Sequence, residues 1–389
     1  MRHKSNIMLL TAGALATTFG VAARLRVEVA NPLPLAREAE MVEIDTRLLR
    51  GYDGAPLRVV GADGREVPSQ LTSDGLLIFQ TTLPPRGKAS YTLERGETAP
   101  QLPRCYGRVF PEHKDNMNWE NDRGAYVASG PALQNAGQLV YGYDIWTKSV
   151  DTLVLEQRNR DNARKISIHK DHGTGMDAYI VANTLGAGTA ALVDADGSLI
   201  FPWAWREAEV LDNGPLRFRT RLTYSPITVG ADSCVIETRD ITLDAGTDLN
   251  RTVISYSALP HRMALAPGIV VHTQNPGGYA SDAAKGIIAY ADSTDNAANG
   301  NGVIHIGAIL PQGADSVAYK PVDTPARDAL GHILAYTAIA PGESLTYYWG
   351  ASWSKSPWGP ASPEEWLDRL RGYADRINAP LKVKIKGKL

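Results

Sequence analysis

Alternating apolar and polar residues dominate the first part of the chain after residue 23. Short runs such as MVEID, LLIFQTTL and SYTLER repeat with a period of two and are separated by turn dipeptides, among them Asp53-Gly54 and Asp63-Gly64. A period of two places successive side chains on opposite faces of a strand. The pattern predicts a small N-terminal β-sandwich over residues 24–100.

Longer alternating runs follow a stretch without periodicity, GETAPQLPRCYGR. They include QLVYGYDIWTK, LRFRTRLTY, DSCVIETRDITL and SLTYYWGASW, with turn signals such as Asn213-Gly214 and Pro341-Gly342 between them. Such runs joined by tight turns are typical of antiparallel sheets. We therefore predict an all-β fold whose main domain, residues 101–361, is a large antiparallel β-sandwich that carries the functional site.

One segment changes the period from two to that of a helix. In SPEEWLDRLRGYADRIN, Ser362 is a suitable N-cap, Pro363 suits the first turn and Glu365 completes a capping box. Apolar residues recur at helical spacing: Trp366, Leu367, Leu370, Tyr373 and Ile377. The pattern predicts a C-terminal amphipathic helix.

The tail LKVKIKGKL predicts an edge strand protected by lysines, or alternatively a basic binding tail. We expect residues 362–389 to pack on the main domain.

The first residues resemble a targeting signal. A basic start, RHK, precedes an apolar stretch over residues 7–21, and Val21-Ala22-Ala23 offers small residues for cleavage. The alternative is an N-terminal anchor, but the stretch is shorter than the roughly 20 residues that a membrane span needs. We predict a signal peptide over residues 1–23 and an exported protein, periplasmic or secreted, without a membrane span in the mature chain.

Charge and cysteine content narrow the range of partners. The chain has 40 Lys and Arg against 42 Asp and Glu, for a net charge of −2, which gives no electrostatic reason to expect nucleic acid as a partner. It contains no P-loop, dinucleotide fingerprint, G-x-S-x-G or H-E-x-x-H motif. Cys105 and Cys234 are compatible with one disulfide in an exported protein or with two separate buried thiols.

Polar, aromatic and ionisable residues concentrate in three clusters: WENDRGAY, YGYDIWTK and IHKDHGTGMDAY. On a strand through the second cluster, Asp144, Trp146 and Lys148 share one face, which would suit a sugar-binding cleft. The alternative is a core Trp146 with Asp144 and Lys148 paired at the surface. Buried charges and exposed aromatic rings both cost free energy, so three such clusters favour a functional cleft.

The third cluster has three interpretations. His169, Asp171 and His172, with Asp177 as a fourth ligand, could bind a divalent metal, although their spacing matches no zinc class. A histidine close to Tyr179 could instead act as an acid–base pair. The third interpretation is a polar turn whose histidines cap backbone groups. We expect no resident cofactor, with a divalent metal as the alternative.

The same motifs, taken in order, resemble a family of exported bacterial proteins catalogued as a domain of unknown function. They are NWENDRGAY, SGPAL, YGYDIWTK, HKDHGTGMDAYIVANTLGAG, VLDNGPLRFRTRLTY and ITLDAGTDLN. That family is associated with the breakdown of pectin and other uronate-containing polysaccharides and is similar to the galactose-mutarotase-like β-supersandwich. The resemblance implies that the three clusters line one cleft. Epimerases, hydrolases and lyases share this architecture, so the fold alone does not choose among them.

From the motifs and the resemblance together we expect an exported carbohydrate-active enzyme that degrades a uronate-containing oligo- or polysaccharide by β-elimination. His169 or His172 would be the base, Tyr179 the acid, and Arg123 with Asn121 would neutralise the substrate carboxylate. The other expected substrate-binding residues are Glu120, Asp122, Tyr143, Asp144, Trp146, Lys148 and Asp177. A glycoside hydrolase using two of the carboxylates, an aldose 1-epimerase and a non-catalytic glycan-binding protein are the alternatives.

Overall fold

The computed structural model describes residues 24–202 and 204–389, without the side chains of residues 323–325. The expected signal peptide over residues 1–23 lies outside the described residues. The helices are α1 (Pro131–Asn135), α2 (Leu155–Ala163) and α3 (Pro363–Asn378). The strands are β1 (Leu25–Ala30), β2 (Arg37–Asp45), β3 (Leu57–Gly61), β4 (Glu66–Val67), β5 (Ser69–Leu71), β6 (Leu76–Leu83), β7 (Lys88–Arg95), β8 (Cys105–Phe110), β9 (Asn116–Asn121), β10 (Ala125–Ala128), β11 (Tyr143–Trp146), β12 (Ala187–Val193), β13 (Leu199–Ile200), β14 (Trp205–Asn213), β15 (Arg217–Tyr224), β16 (Ile227–Val229), β17 (Asp232–Asp244), β18 (Leu249–Ser257), β19 (Met263–His272), β20 (Tyr279–Asp282), β21 (Ile287–Asp292), β22 (Ile304–Ile309), β23 (Ser316–Ala326), β24 (Ala329–Ile339), β25 (Ser344–Trp353) and β26 (Lys382–Gly387).

Two sheets build the N-terminal part of the described chain, in the orders β26-β1-β7-β3-β4 and β2-β6-β5. Their strands alternate as the sequence pattern requires, so that Val27, Val42 and Phe79 lie in a shared core. The last strand differs from expectation, because β26 pairs antiparallel with β1 and does not join the main domain. Ile385 packs against the N-terminal core, while Lys386 donates to Glu28 at 2.7 Å.

The main part consists of two layers of antiparallel sheet. One layer is a nine-stranded sheet in the order β14-β15-β17-β18-β25-β22-β21-β20, with β16 paired to β17. The other contains the sheets β13-β12-β19-β24-β23 and β11-β10-β9-β8. Aromatic side chains fill the space between the layers, and Trp119 donates its indole N–H to Asn250 at 2.7 Å. The all-β, antiparallel sandwich predicted from the sequence is confirmed.

Helix α3 covers the outer face of the nine-stranded sheet. Trp366, Leu370 and Ala374 pack there against Leu249 and Ile309. Its first turn has the expected capping box, in which the Ser362 hydroxyl accepts from the Glu365 backbone N–H at 3.2 Å and the Glu365 carboxylate accepts from the Ala361 N–H at 2.8 Å. No helix in the described ranges is long and apolar enough to cross a membrane.

The two cysteines do not form a disulfide. Both are free thiols, with Cys105 buried and Cys234 exposed. The disulfide alternative is therefore wrong, and of the two thiols only Cys105 is buried. Burial raises the pKa of the Cys105 thiol well above its ordinary value, which keeps it protonated and unreactive.

The connection from β11 to β12 positions most of the polar residues discussed below. It consists of residues 147–154, α2 and the stretch 164–186, and the second half of that stretch runs beside β11. Trp146 and Asp177 form an isolated antiparallel bridge, and the Thr147 N–H donates to the Met176 carbonyl at 2.8 Å. This pairing places Asp177 beside Asp144 and leads the chain towards the ends of β19 and β21.

Candidate active site

Five ionisable side chains meet where several strands end. Asp144 lies on β11, Asp177 and Tyr179 lie on the stretch after α2, and His272 and Asp292 are the last residues of β19 and β21. The rings of Tyr179 and His272 have centroids 5.7 Å apart in an edge-to-face arrangement. We call these five residues the acid–base cluster.

His272 is held in one orientation by Asp292. Its Nδ1 lies 2.6 Å from Asp292 Oδ2, and the other Asp292 oxygen accepts from the Thr294 backbone N–H at 2.7 Å. Both residues are buried, at 3% and 1% exposure, and His272 Nε2 has no hydrogen-bond partner. In the neutral tautomer that donates Nδ1–H to Asp292, Nε2 carries a lone pair. This is how a carboxylate prepares a histidine to act as a base.

Tyr179 is buried beside this histidine, and its hydroxyl also lacks a hydrogen-bond partner. Burial, followed by the nearby charges of Asp292 and Asp144, raises the pKa of Tyr179 well above its ordinary value. The hydroxyl therefore stays protonated at neutral pH and is a proton donor. A buried, unpartnered hydroxyl costs about 1–3 kcal/mol, which a substrate oxygen bonded to it would recover.

Asp144 and Asp177 form a carboxyl pair at the outer side of the cluster. Burial and the charge of Asp177 raise the pKa of Asp144 well above its ordinary value. Burial raises the pKa of Asp177 to about 6, with Asp295 adding to the shift and His169 opposing it. Two desolvated carboxyl groups close together cannot both ionise without a large cost, so the pair holds a proton near neutral pH.

Only part of the third sequence cluster reaches this place. His169 is exposed, and its Nδ1 lies 3.5 Å from the Asp177 carboxylate. Asp171 accepts from the backbone N–H groups of Gly173 and Gly175 at 2.8 and 2.9 Å, and His172 Nε2 lies 3.1 Å from the Ser167 carbonyl. The turn interpretation therefore describes Asp171 and His172, which do not belong to the acid–base cluster.

The metal alternative for this segment is not supported. Within residues 24–202 and 204–389, no group of three or more His, Cys, Asp or Glu side chains has an arrangement that could hold a metal ion. The Asp171 carboxylate that was to supply a ligand is occupied by the backbone of its own turn.

Glu120 and Lys148 form a fully buried ion pair with a contact of 2.7 Å. The Glu120 carboxylate also accepts from the backbone N–H groups of Val154 and Leu155, each at 2.8 Å, and so caps the first turn of α2. Lys148 donates in addition to the Asn121 carbonyl at 2.6 Å. Both residues were expected to bind substrate, but their contacts are internal and hold α2 on the sheet.

Asn121, Asp122 and Arg123 occupy the end of β9 and the turn to β10, which the pairing of Ala125 with Trp146 places beyond the Trp146 end of β11 and not beside Asp144. The Asn121 side chain accepts from the Arg123 and Gly124 N–H groups and donates to two carbonyl oxygens at and just after the end of β17. Asp122 accepts from Arg104 Nε at 3.0 Å. The Arg123 guanidinium lies 5.1 Å from the Trp358 ring centre. Arg123 and Asn121 therefore do not neutralise a carboxylate at this cluster, contrary to the expectation.

The two aromatic residues of β11 are part of the core. Tyr143 stacks on Trp349 with centroids 4.1 Å apart, and its hydroxyl accepts from Arg239 at 3.0 Å. Trp146 is 1% exposed because Leu155 of α2 and Ile168 cover it. The expected face shared by Asp144, Trp146 and Lys148 is not open as a whole, because α2 covers Trp146 and Lys148 is buried against Glu120, while Asp144 stays half-buried. Trp146 is consequently no stacking surface for a sugar.

His272 and Asp292 were not predicted from the sequence, and they lie about 100 residues after the third polar cluster. A local signal is present in hindsight. Each residue is the last of a nearly continuous apolar strand, GIVVH and IIAYAD, and an ionisable group at the buried end of such a strand needs a partner. Their pairing depends on the alignment of two strands from opposite layers, which the sequence does not display.

Comparisons with known proteins agree with the fold. The structure is similar to a crystal structure of a protein in the glycosyl hydrolase family 38 from Enterococcus faecalis, with a TM-score of 0.51 and 10% identity, over 95% of this chain and 48% of that one. The chain thus spans about half the length of that structure, and a likeness at this identity concerns the fold alone.

The sequence is also similar to a protein of Formosa agariphila named uncharacterized protein P7. The two are 25% identical over 412 residues, which cover 99% of this chain and 100% of the relative. A family model matches residues 29–383, nearly the whole of the described chain, and confirms the resemblance drawn from the polar motifs. The chain belongs to the family described as Domain of unknown function (DUF4861).

Proposed function

We propose that the chain is a carbohydrate-active enzyme that cleaves a uronate-containing glycan by β-elimination, with His272 as the base and Tyr179 as the acid. One observation carries this proposal. Two adjacent rings, 5.7 Å apart, each present a buried proton-transfer atom that has no hydrogen-bond partner, His272 Nε2 and the Tyr179 hydroxyl. These roles differ from the expected ones, since His272 replaces His169 and His172, whereas Tyr179 keeps its expected role.

The elimination needs one base and one acid. His272 Nε2 takes the proton from C5 of the uronate, the C5–H electron pair forms the C4–C5 double bond, and the bond from C4 to the glycosidic oxygen breaks. The Tyr179 hydroxyl gives its proton to that oxygen. Asp292 is a positioning residue, because it orients His272 and stabilises the imidazolium that forms.

The carboxyl pair supports the same reaction. Abstracting the C5 proton requires the charge of the adjacent uronate carboxylate to be reduced. A protonated carboxyl group can donate a hydrogen bond to such a carboxylate at neutral pH. Since the raised pKa values of Asp144 and Asp177 keep a proton on the pair, these residues would do what the sequence assigned to Arg123 and Asn121.

The substrate would approach from the side of Asp144 and His169. Asp144 is half-buried and His169 is exposed there, whereas Tyr179, His272 and Asp292 lie beneath. The loop over residues 293–303 borders this side, and its Asp295 N–H donates to the Ala178 carbonyl at 2.9 Å. Because Tyr179 and His272 are only 5% and 3% exposed, this proposal requires the loop to shift when a sugar binds.

Hydrolysis is the second candidate, and the Asp144–Asp177 pair is the observation that favours it. A glycoside hydrolase uses one protonated and one ionised carboxyl group, and the raised pKa values would supply that combination. An aldose 1-epimerase would need a histidine and a carboxylate, which the cluster also contains. In both cases the buried Tyr179 hydroxyl has no necessary role.

The decisive experiment uses the purified chain with polygalacturonate, alginate and a neutral glucan, and follows ultraviolet absorbance together with product masses. Elimination gives a conjugated product that absorbs and is lighter by one water than the product of hydrolysis. His272→Gln and Tyr179→Phe should abolish it, whereas the matched controls His261→Gln, at an exposed position, and Tyr336→Phe should not. Products without the double bond would refute elimination, and binding without turnover would indicate a glycan-binding protein.

Export is proposed from the first 23 residues. A basic start, an apolar stretch and a small-residue cleavage site are the features of a secretory signal. An enzyme acting on a polysaccharide too large to enter the cytoplasm would have to work outside it. Mass spectrometry of the protein purified from its native cells should find a mature N-terminus near Arg24, and an intact N-terminus would contradict export.

A further inference from the structure

We propose that Arg158 forms a subsite for an anionic group of the glycan, a carboxylate or a sulfate ester, in the groove between α2 and residues 166–175. The inference rests on the proposed function only in naming a glycan as the carrier of that group. The observation behind it is a buried guanidinium group in which two donor nitrogens, Nε and Nη1, have no hydrogen-bond partner in the described chain.

Arg158 is 6% exposed and makes hydrogen bonds through one nitrogen alone. Its Nη2 donates to the carbonyls of Thr147, at 2.7 Å, and Thr174. Its Nε and Nη1 have no hydrogen-bond partner. A buried arginine is normally paired, because an uncompensated buried charge is expensive. The site therefore has an unmet demand for a hydrogen-bond acceptor, and an anion would meet it best.

No carboxylate of the described residues meets this demand. Glu120, Asp171 and Asp177 act on Arg158 only through their charge. Glu120 is already paired with Lys148, and Asp171 accepts from the backbone of its own turn. Burial lowers the pKa of Arg158 to about 10, so the guanidinium remains charged at neutral pH.

A groove with a volume of about 260 Å³ lies against Arg158. Its rim carries two exposed basic residues, Lys170 and His172. The one acidic residue among its lining, Asp161, accepts from the Gln157 side chain at 2.8 Å. The groove thus offers positive charge at its rim and at its buried end. Shielding from bulk water would strengthen a charge-assisted hydrogen bond formed there.

Gly175 permits this arrangement. Its φ is +96°, in the region that favours glycine, and a Cβ at this position would lie 2.9 Å from Arg158 Nη2 and 2.2 Å from the Thr147 carbonyl oxygen. A larger residue would collide first with the Thr147 backbone and then with Arg158 Nη2. The second glycine of the sequence motif HGTGMDAY is therefore explained mainly by its positive φ and by the close approach of the Thr147 carbonyl, which also accepts from Arg158.

The groove and the acid–base cluster share one segment of chain. Residues 168–177 contribute Lys170 and His172 to the groove and Asp177 to the cluster, and Arg158 and Asp177 influence each other electrostatically. An anionic substituent held at Arg158 would consequently belong to a sugar residue next to the one being cleaved. This arrangement would select acidic glycans over neutral ones.

Titration of the purified chain with sodium glucuronate, sodium sulfate and glucose, followed by arginine side-chain NMR and calorimetry, tests the subsite. We expect saturable binding of at least one anion and none of glucose. Glucuronate alone would identify a carboxylate site, sulfate alone a sulfate-ester site, and both a general oxyanion site. Absence of binding by either anion, or equal binding of glucose, would overturn the inference.

Amino-acid substitutions test whether the anion binds in this groove. Arg158→Gln should weaken it at least tenfold. Should that variant not fold, the double variant Lys170→Gln/His172→Gln, at two exposed positions, should weaken it several-fold. Arg164→Gln, at an exposed position just after α2 that is not part of the groove, is the matched control. Unchanged binding in the groove variants would overturn the proposal. His272→Gln should keep anion binding while losing cleavage, which separates a failed subsite from a failed mechanism.

Discussion

His272 Nδ1 and Asp292 Oδ2 are 2.6 Å apart, and this contact links the ends of β19 and β21 in opposite layers of the sandwich. Because Asp292 accepts from Nδ1–H, the lone pair is on Nε2, the atom that faces no partner. The geometry therefore fixes both the orientation of the ring and the tautomer that can accept a proton.

Asp292→Asn tests this relationship directly. The asparagine amide can donate to Nδ1, which would place the histidine proton on Nε2 and remove the basic lone pair. We expect kcat to fall by about 10²- to 10⁴-fold, the range of a general acid–base contribution, with little change in KM. Steady-state kinetics across the pH range measures both constants. A rise in KM with an unchanged kcat would indicate that Asp292 acts in substrate binding instead.

Tyr179→Phe separates catalysis from stability. The substitution removes only the hydroxyl, which is buried and has no partner, so the free energy of unfolding should stay the same or rise by about 1 kcal/mol. The rate of elimination should fall by about 10²-fold or more. Chemical denaturation and product formation are measured on the same preparation. A loss of stability together with full activity would contradict the assignment of Tyr179 as the acid.

The fold was largely predictable because it depends on local patterns. Period-two alternation identified the strands, and Ser362 with Glu365 identified the start of α3. The partner of β26 was not predictable, because the alternation of Val383 and Ile385 suits any open sheet edge. Its pairing with β1 depends on where the chain end lies after α3, which is a long-range property.

The site was only partly predictable for a related reason. Asp144, Asp177 and Tyr179 lie close together in sequence and were recognised by their density of polar groups. Glu120 and Lys148 gave the same signal, because a buried ion pair and a catalytic pair use the same residue types. The sequence pattern shows which residues are polar, but not that α2 covers one face of β11.

Glu120→Gln distinguishes these two roles. Removal of one partner leaves Lys148 charged in the interior, and we expect a loss of about 3–5 kcal/mol in the free energy of unfolding. Chemical denaturation measures it, with Arg221→Gln as a control that breaks the exposed Arg221–Asp240 pair and should cost much less. Unchanged stability with a raised KM would restore the substrate-binding role predicted from the sequence.

Asp177→Asn should change the pH dependence of stability. The pKa of Asp177 is raised from 3.8 to about 6 in the folded chain, so the folded state holds this proton more tightly than the unfolded state. The contribution is fully present below pH 3.8 and is lost as pH rises through about 6. A shift of about two pKa units corresponds to about 3 kcal/mol.

The wild type should therefore lose stability relative to Asp177→Asn as pH rises between these limits, while the exposed Asp151→Asn control follows the wild type. Denaturation midpoints at several pH values from about 4 to about 8 measure the difference. A difference in stability between the wild type and Asp177→Asn that stays constant with pH would show that Asp177 ionises normally. In that case the raised pKa of Asp177 would no longer support the carboxyl pair proposed to neutralise the substrate carboxylate.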